Sequence, residues 1–133
     1  MSISCHCIED FQRHARRRMP RMIFDALDGA AGKETSSRLN IVALENIRLQ
    51  PKILVNVENR ELGKVFLNHH WNLPFGVAPM GMCNLFWPGA DNVLANAAQE
   101  KNLPLAVSTM ASSSIEHMMN IAGNRAWFQL YVG

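Results

Sequence analysis

The chain has 133 residues, of which 48% are hydrophobic and 18% charged, and its formal net charge is +2. This balance excludes a disordered tail and calls for no nucleic-acid partner. No apolar run reaches the ~18 residues of a membrane-spanning helix, and length by itself suggests one small domain.

Residues 8–18 predict an amphipathic helix with Ile8, Phe11 and Ala15 on one face. Arg13, Arg16, Arg17, Arg18 and Arg21 crowd the same stretch. They read either as a solvated face or as a patch that attracts anions or a membrane surface. Residues 1–19 lack the apolar core of a secretory signal, and Glu9 and Asp10 argue against a mitochondrial presequence. Three cysteines, Cys5, Cys7 and Cys83, are too few and odd for a disulfide framework, so a reducing cytoplasm is expected. Cys5-His6-Cys7 is spaced too tightly for a metal site, and no second ligand pair follows, so no metal is expected.

Pro20 suits the first turn of a second helix that carries Met22, Ile23, Ala26 and Leu27 and stops near Gly29. Residues 36–46 suit a third, with Leu39, Val42 and Ala43 as its stripe. Pro51 bars helix, and the alternation at Ile53, Val55 and Val57 predicts an extended region. Val65-Phe66-Leu67 and the run from Leu73 flank Asn68-His69-His70, which predicts a small hairpin turning there; the two histidines are expected to be solvated.

From residue 73 the pattern changes. LPFGVA (73–78), LPLAV (103–107) and AWFQLYV (126–132) read as buried strands. Between the first two, residues 89–101 predict a helix with Ala90, Val93, Leu94, Ala97 and Ala98 inward, Asp91 in its first turn and Asn102 as its cap. Ser113 and Glu116 predict a capping box for a helix with Ile115, Met118, Met119 and Ala122 as its stripe, ended by Gly123. The order β-α-β-α-β implies a parallel sheet.

Parallel α/β folds gather ligands at the carboxyl ends of their strands. That rule selects Ala78, Pro79, Met80 and Gly81 after the first strand, Ser108, Thr109 and Met110 after the second, and Gln129 and Tyr131 on the third. Gln129 and Tyr131 share a face, and polar groups on an aliphatic sheet need partners, which a bound polar ring could supply. The plainer alternative is that Ser108 and Thr109 only turn the chain and Tyr131 reaches water. The chain holds no P-loop, GxGxxG, HExxH or GxSxG pattern. None of His6, His14, His69, His70 and His117 falls at a strand's carboxyl end, where a general base would be needed.

In order and spacing, PRMIFDALDGAAGKE (20–34), Asn40, IRLQPKILVNV (47–57), LPFGVAPMGM (73–82), the run 87–116 and WFQLYV (127–132) resemble the FMN-dependent α-hydroxy acid dehydrogenase and oxidase family, of the glycolate, lactate and mandelate type. The resemblance implies the N-terminal part of a TIM (β/α)8 barrel: residues 1–72 as a helical lead-in with a small hairpin, and 73–133 as the first βαβαβ portion. It implies FMN as cofactor and a small 2-hydroxy acid as substrate, oxidised by hydride transfer to the flavin. The backbone of Ala78, Pro79, Met80 and Gly81 would run along the ring, Ser108 and Gln129 would bond it, Tyr131 would stabilise charge on the substrate oxygen, and Met110 would face the substrate. The resemblance also implies a homo-oligomer for the full-length family, and the expected partners include a membrane surface or an electron acceptor.

Two departures stand out. Ala26 replaces a tyrosine that helps hold the substrate carboxylate, and Met110 stands where glycolate oxidase-like members have tryptophan. The family's catalytic histidine, its two carboxylate-clamping arginines, its flavin-side lysine and its phosphate site have no counterpart in these 133 residues, and a barrel takes about 250. The length therefore reads as part of a barrel enzyme, inactive alone. The alternative is a non-catalytic remnant that binds flavin or protein.

Overall fold

The structure, a computed structural model, describes residues 5–132. The chain divides into two compact units, Met1–Val57 and Glu58–Gly133.

The first unit is helical. Helix α1 spans Ile8–Arg18, α2 Arg21–Asp28 and α3 Thr35–Glu45. Helix α1 opens with Glu9 and Asp10 and closes with Arg16, Arg17 and Arg18, matching the helix dipole at both ends. Pro20 sits one place earlier than expected, as the N-cap of α2. Gln12 Nε2 donates to Asp28 Oδ1 at 2.6 Å, joining α1 to α2. Phe24 is buried, whereas Leu39 and Val42 of α3 are exposed, so the stripe expected on α3 has no partner surface here. Residues 51–57 form no strand. Leu54 takes a left-handed φ of 60°, which breaks the alternation, and Ile53, Val55 and Val57 stay exposed.

The second unit begins with a hairpin, β1 (Lys64–Phe66) against β2 (His69–Trp71), antiparallel with Val65 opposite His70. The turn is Leu67-Asn68, both with positive φ, the geometry of a tight two-residue hairpin turn. His69 and His70 therefore belong to β2 rather than to the turn, and the second strand starts before Leu73. Trp71 is buried, donates Nε1–H to the Phe66 carbonyl at 3.1 Å and stacks edge-on against Trp127.

The parallel sheet is shorter than the sequence suggests. Strand β3 (Leu105–Val107) pairs in parallel with β4 (Ala126–Phe128). The run 73–78 contributes a single parallel bridge, Val77 to Leu105. Val77 N–H donates to Pro104 O and Val77 O accepts from Ala106 N–H. Pro74 and Pro104 have no N–H to extend that ladder. Beyond Phe128 the ladder gives way to a side chain: Gln129 N–H still reaches Val107 O, but Tyr131 N–H donates to Thr109 Oγ1. The result is a helix-rich α/β assembly in which the barrel is not closed.

Helices α5 (Ala90–Lys101) and α6 (Ile115–Ala122) cover the sheet, and a short α4 (Cys83–Phe86), not expected from the sequence, precedes them. The core is Ala95, Ala98, Leu103, Leu105, Val107, Met118 and Ala122. On α5 the inward stripe is Asp91, Leu94, Ala95 and Ala98, whereas Val93 and Ala97 face outward. On α6, Met118 and Ala122 are buried with Ile121 beside them, and Ile115 and Met119 are not. The N-cap of α6 is Ser114, whose hydroxyl accepts from His117 N–H at 3.2 Å, one residue later than expected. Asn102 caps α5 in the left-handed region; its side chain donates to His70 O and accepts from Arg125 Nε–H.

Candidate active site

Three segments leave the sheet at its carboxyl end. They carry Ala78–Gly81, Ser108–Met110 and Gln129–Tyr131.

The first two are stitched together. Met82 N–H donates to Met110 O at 2.8 Å, and Asn84 N–H to Ser112 Oγ at 3.3 Å. Gly81 lies against Met110: a Cβ there would come within 2.9 Å of the Met110 Cβ, so the close approach needs glycine. Behind both segments sits Asp91, 3% exposed. Its Oδ2 accepts from Ser113 N–H at 2.8 Å, and its own N–H donates to Asn84 Oδ1 at 3.2 Å. Burial pushes the nearby Cys83 thiol up, and the Asp91 charge adds to it. The sequence pattern places Asp91 against the helix dipole and gives no sign of Asn84 or Ser112. The available signal was an acid at a position that continues the buried stripe of α5.

Ser108 is buried, and its hydroxyl accepts from Met110 N–H at 3.1 Å. Thr109 Oγ1 bonds the Gln129 carbonyl and accepts from Tyr131 N–H, which ties the second segment to the third. Gln129 is only partly exposed, yet its Oε1 is buried and has no hydrogen-bond partner among the described residues. An orphaned buried carbonyl oxygen costs about 1–3 kcal/mol. It fits a hydrogen-bond donor on a bound ring. Tyr131 and Met110 are both about half exposed at the open side. Pro79 and Met80 are exposed too. The structure thus brings the sequence-selected residues to one end of the sheet and leaves one polar atom among them unsatisfied.

The histidines lie elsewhere. His117 on α6 bonds Asn92 Oδ1 through Nε2, His69 and His70 are on the hairpin, and His6 and His14 are in the first unit. Among the described residues, no group of three His, Cys, Asp or Glu side chains is placed to hold a metal ion. A cavity of about 600 Å³ opens on the hairpin side, between Phe66, Trp71, Phe75, Pro104 and Trp127. It takes in Ala78 but not Met80, Ser108, Met110, Gln129 or Tyr131.

Short parallel strands with covering helices define a helix-rich α/β fragment, with its sequence-selected polar residues at the carboxyl end of the sheet. The family model for FMN-dependent dehydrogenases matches residues 15–133, and the chain belongs to that family of flavoprotein oxidoreductases. It is 33% identical over 132 residues to (S)-mandelate dehydrogenase of Pseudomonas putida, covering 99% of this chain and 34% of that one. Against human 2-Hydroxyacid oxidase 2 the identity is 35%, over 98% of this chain and 37% of the relative. Against L-lactate dehydrogenase of Xanthobacter autotrophicus it is 33%, over 92% and 32%. Among solved structures, a soluble mutant of the membrane-associated (S)-mandelate dehydrogenase from P. putida superposes with a TM-score of 0.85 at 34% identity, over 94% of this chain and 36% of that one. A mandelate oxidase mutant with the C4a-OH-FMN adduct gives 0.83 at 34% identity, over 92% of this chain and 37% of that one. The chain spans about a third of the length of the relatives it matches. Among the described residues, no helix is long and apolar enough to cross a membrane.

Proposed function

We propose that residues 73–133 form the opening strands of an FMN-dependent (β/α)8 barrel, preceded by a lead-in over 1–72, and that the whole protein oxidises a small 2-hydroxy acid to its 2-oxo acid. The observation that carries this reading is the buried, unpartnered Gln129 Oε1 beside Ser108 at the carboxyl end of the sheet. Bound FMN supplies the acceptor for the hydride from the substrate α-carbon. The backbone of Ala78, Pro79, Met80 and Gly81 lines one face of the ring, which the close packing of Gly81 on Met110 supports. Gln129 and Ser108 orient the cofactor. Ser108 already accepts from Met110 N–H, which leaves its own proton to donate. Tyr131 donates to the substrate oxygen, and Met110 bounds the substrate side chain. Ala26 offers no hydrogen bond to a carboxylate. The protein is cytoplasmic and works at a membrane surface, and the membrane association of the P. putida relative supports the second of these.

No histidine stands at a strand end in these residues, so the chain alone is a flavin cradle without turnover. The test is an FMN titration of the purified chain followed by flavin absorbance and fluorescence. Binding is expected, and Gln129→Leu is expected to weaken it about tenfold, the loss of one buried hydrogen bond. Oxidation of lactate, glycolate or mandelate is expected only when a C-terminal portion from a relative is co-expressed. An unchanged flavin spectrum would sink the cradle, and an unaffected Gln129→Leu variant would remove the role given to Oε1.

A further inference from the structure

We propose that helix α1 and the start of α2 form a docking surface for an anionic lipid bilayer. The inference rests on the membrane-surface location above and not on the flavin reading.

Helix α1 turns about every 3.6 residues. That places Ile8, Phe11 and Ala15 on one face, with Arg16 on one flank and Arg18 on the other. The apolar face is not covered: Ile8 is 78% exposed and Phe11 59%. Met22, at the start of α2, is 78% exposed. A helix that is apolar on one face, with arginines flanking it, lies in a bilayer interface and lets the long cationic side chains reach the headgroups.

The charges are free for that role. Arg13 is tied to Asp10, and Arg21 Nε meets Asp25 Oδ2 at 3.4 Å in a pair exposed on both sides. Such a pair is weakly held in solvent. Among the described residues, Arg16, Arg17 and Arg18 make no ion pair. Between α1 and α2 lies a cavity of about 360 Å³ lined by Arg16, Met19, Arg21, Phe24 and Asp25. Two guanidinium side chains at a cavity beside an apolar face match a phosphate headgroup above acyl chains. Asp25 lies on the same cavity and is displaced from Arg21 by a stronger anion. The net charge of the whole chain is only +2, so the attraction is local to this surface.

The experiment is co-sedimentation of the full chain with vesicles of phosphatidylcholine, with and without phosphatidylglycerol. Binding is expected to the mixed vesicles only and to fall at high salt. Each arginine near an anionic surface is worth about fivefold, so Arg16→Gln and Arg18→Gln together should weaken binding by roughly 25-fold, and adding Arg17→Gln, on the face opposite Ile8 and Phe11, should add little to this triple variant's loss. Phe11→Ser should weaken it about tenfold. Val93→Ser, an exposed apolar position on α5, should leave it unchanged. Circular dichroism of each variant verifies the helices. Equal binding to both vesicle types, no binding to either, or a triple variant that binds like the parent would each overturn the proposal, as would an unaffected Phe11→Ser. Displacement by inorganic phosphate beyond that by chloride of equal ionic strength would assign the cavity to a soluble anion and overturn the lipid occupant. A chain that binds FMN but no vesicles removes this surface alone.

Discussion

The two units of the chain make helices for different reasons. In Glu58–Gly133, helices α5 and α6 bury Ala95, Ala98, Met118 and Ala122 against Leu105 and Val107, so the helices and the sheet hold each other in place. In Met1–Val57 only α1 carries charges that match its ends; α2 and α3 have neither a side-chain cap nor such charges, and among the described residues Phe24 alone is a buried apolar side chain. Local signals suffice to write a helix, whereas a packed core needs partners from elsewhere in the chain. The contrast also separates the proposed roles: a rigid sheet end that holds a ring, and an exposed helical surface that meets something else.

The largest expected effect separates the two units by burial. Leu105→Ala removes a side chain that is 2% exposed between α5, α6 and the sheet, and should cost about 2–5 kcal/mol. Leu44→Ala in α3, at 70% exposed, should change stability by less than about 0.5 kcal/mol. Urea unfolding followed by circular dichroism and by tryptophan fluorescence measures both. Trp71 and Trp127 report the second unit, since both lie in its aromatic cluster. Equal costs at the two sites would mean that the first unit has a core of its own and would break the comparison.

How much of this was legible in the sequence follows the same division. The ends of α1 and α5 were, because their punctuation is local: acids at the first turn, arginines or Asn102 at the last. The carboxyl-end residues were legible too, because a parallel strand pattern places them without knowledge of neighbours. What was not legible depended on tertiary partners. Apolarity alone points to Ala90, Val93, Leu94, Ala97 and Ala98 as the stripe of α5; Leu94 and Ala98 do face inward, but the carboxylate of Asp91 turns in beside them to accept from Ser113 N–H, and Val93 and Ala97 face out. Asn68 tolerates positive φ and so marks the hairpin turn, but its companion is Leu67 at 49° and not His69 or His70, a conformation rare for leucine that the sequence does not signal. Apolarity carries the strand pattern over 126–132, but its partner β3 stops at Val107 and Thr109 takes over with a side chain.

A second, smaller contrast uses two glycines. A Cβ on Gly76 would lie 2.5 Å from Pro104 Cγ and 2.6 Å from Pro104 O, so Gly76→Ala must push the segment 73–78 away from β3. The cost should be about 1–3 kcal/mol, and FMN binding should weaken with it if Ala78–Gly81 line the ring. Gly32 has nothing within 4 Å, but its φ is +61°. Gly32→Ala should therefore cost about 1 kcal/mol through backbone strain alone and leave FMN binding untouched. Paired melting curves and flavin titrations check this. A Gly76→Ala chain as stable as the parent would show that the Val77 bridge does not hold the segment 73–78 in place.

The smallest effect lies in the first unit and is electrostatic. Asp10 Oδ2 accepts from His6 N–H at 2.8 Å and from Cys7 N–H at 3.3 Å, and the carboxylate also binds Arg13. These bonds, the His6 N–H first and the Arg13 guanidinium next, lower the Asp10 carboxyl from an ordinary 3.8 to about 2. A folded pKa below the unfolded one means that the ionised form is the one the helix start favours. Its contribution is complete above 3.8 and is lost as pH falls from there toward about 2. The Asp10 side chain is 16% exposed and its Arg13 partner 70% exposed, so the effect stays local to the start of α1 and shrinks with added salt. Asp10→Asn keeps an acceptor for the two N–H groups but loses the charge, and should flatten the acid-side loss of helicity seen by circular dichroism. In the second unit, Ser114 caps α6 with a neutral hydroxyl, so that helix start should hold steady across the same range. If Asp10→Asn left the acid limb unchanged, the first unit would owe its helix start to something other than this carboxylate. The split between a locally written helical segment and a core-held sheet would then need redrawing at residue 10.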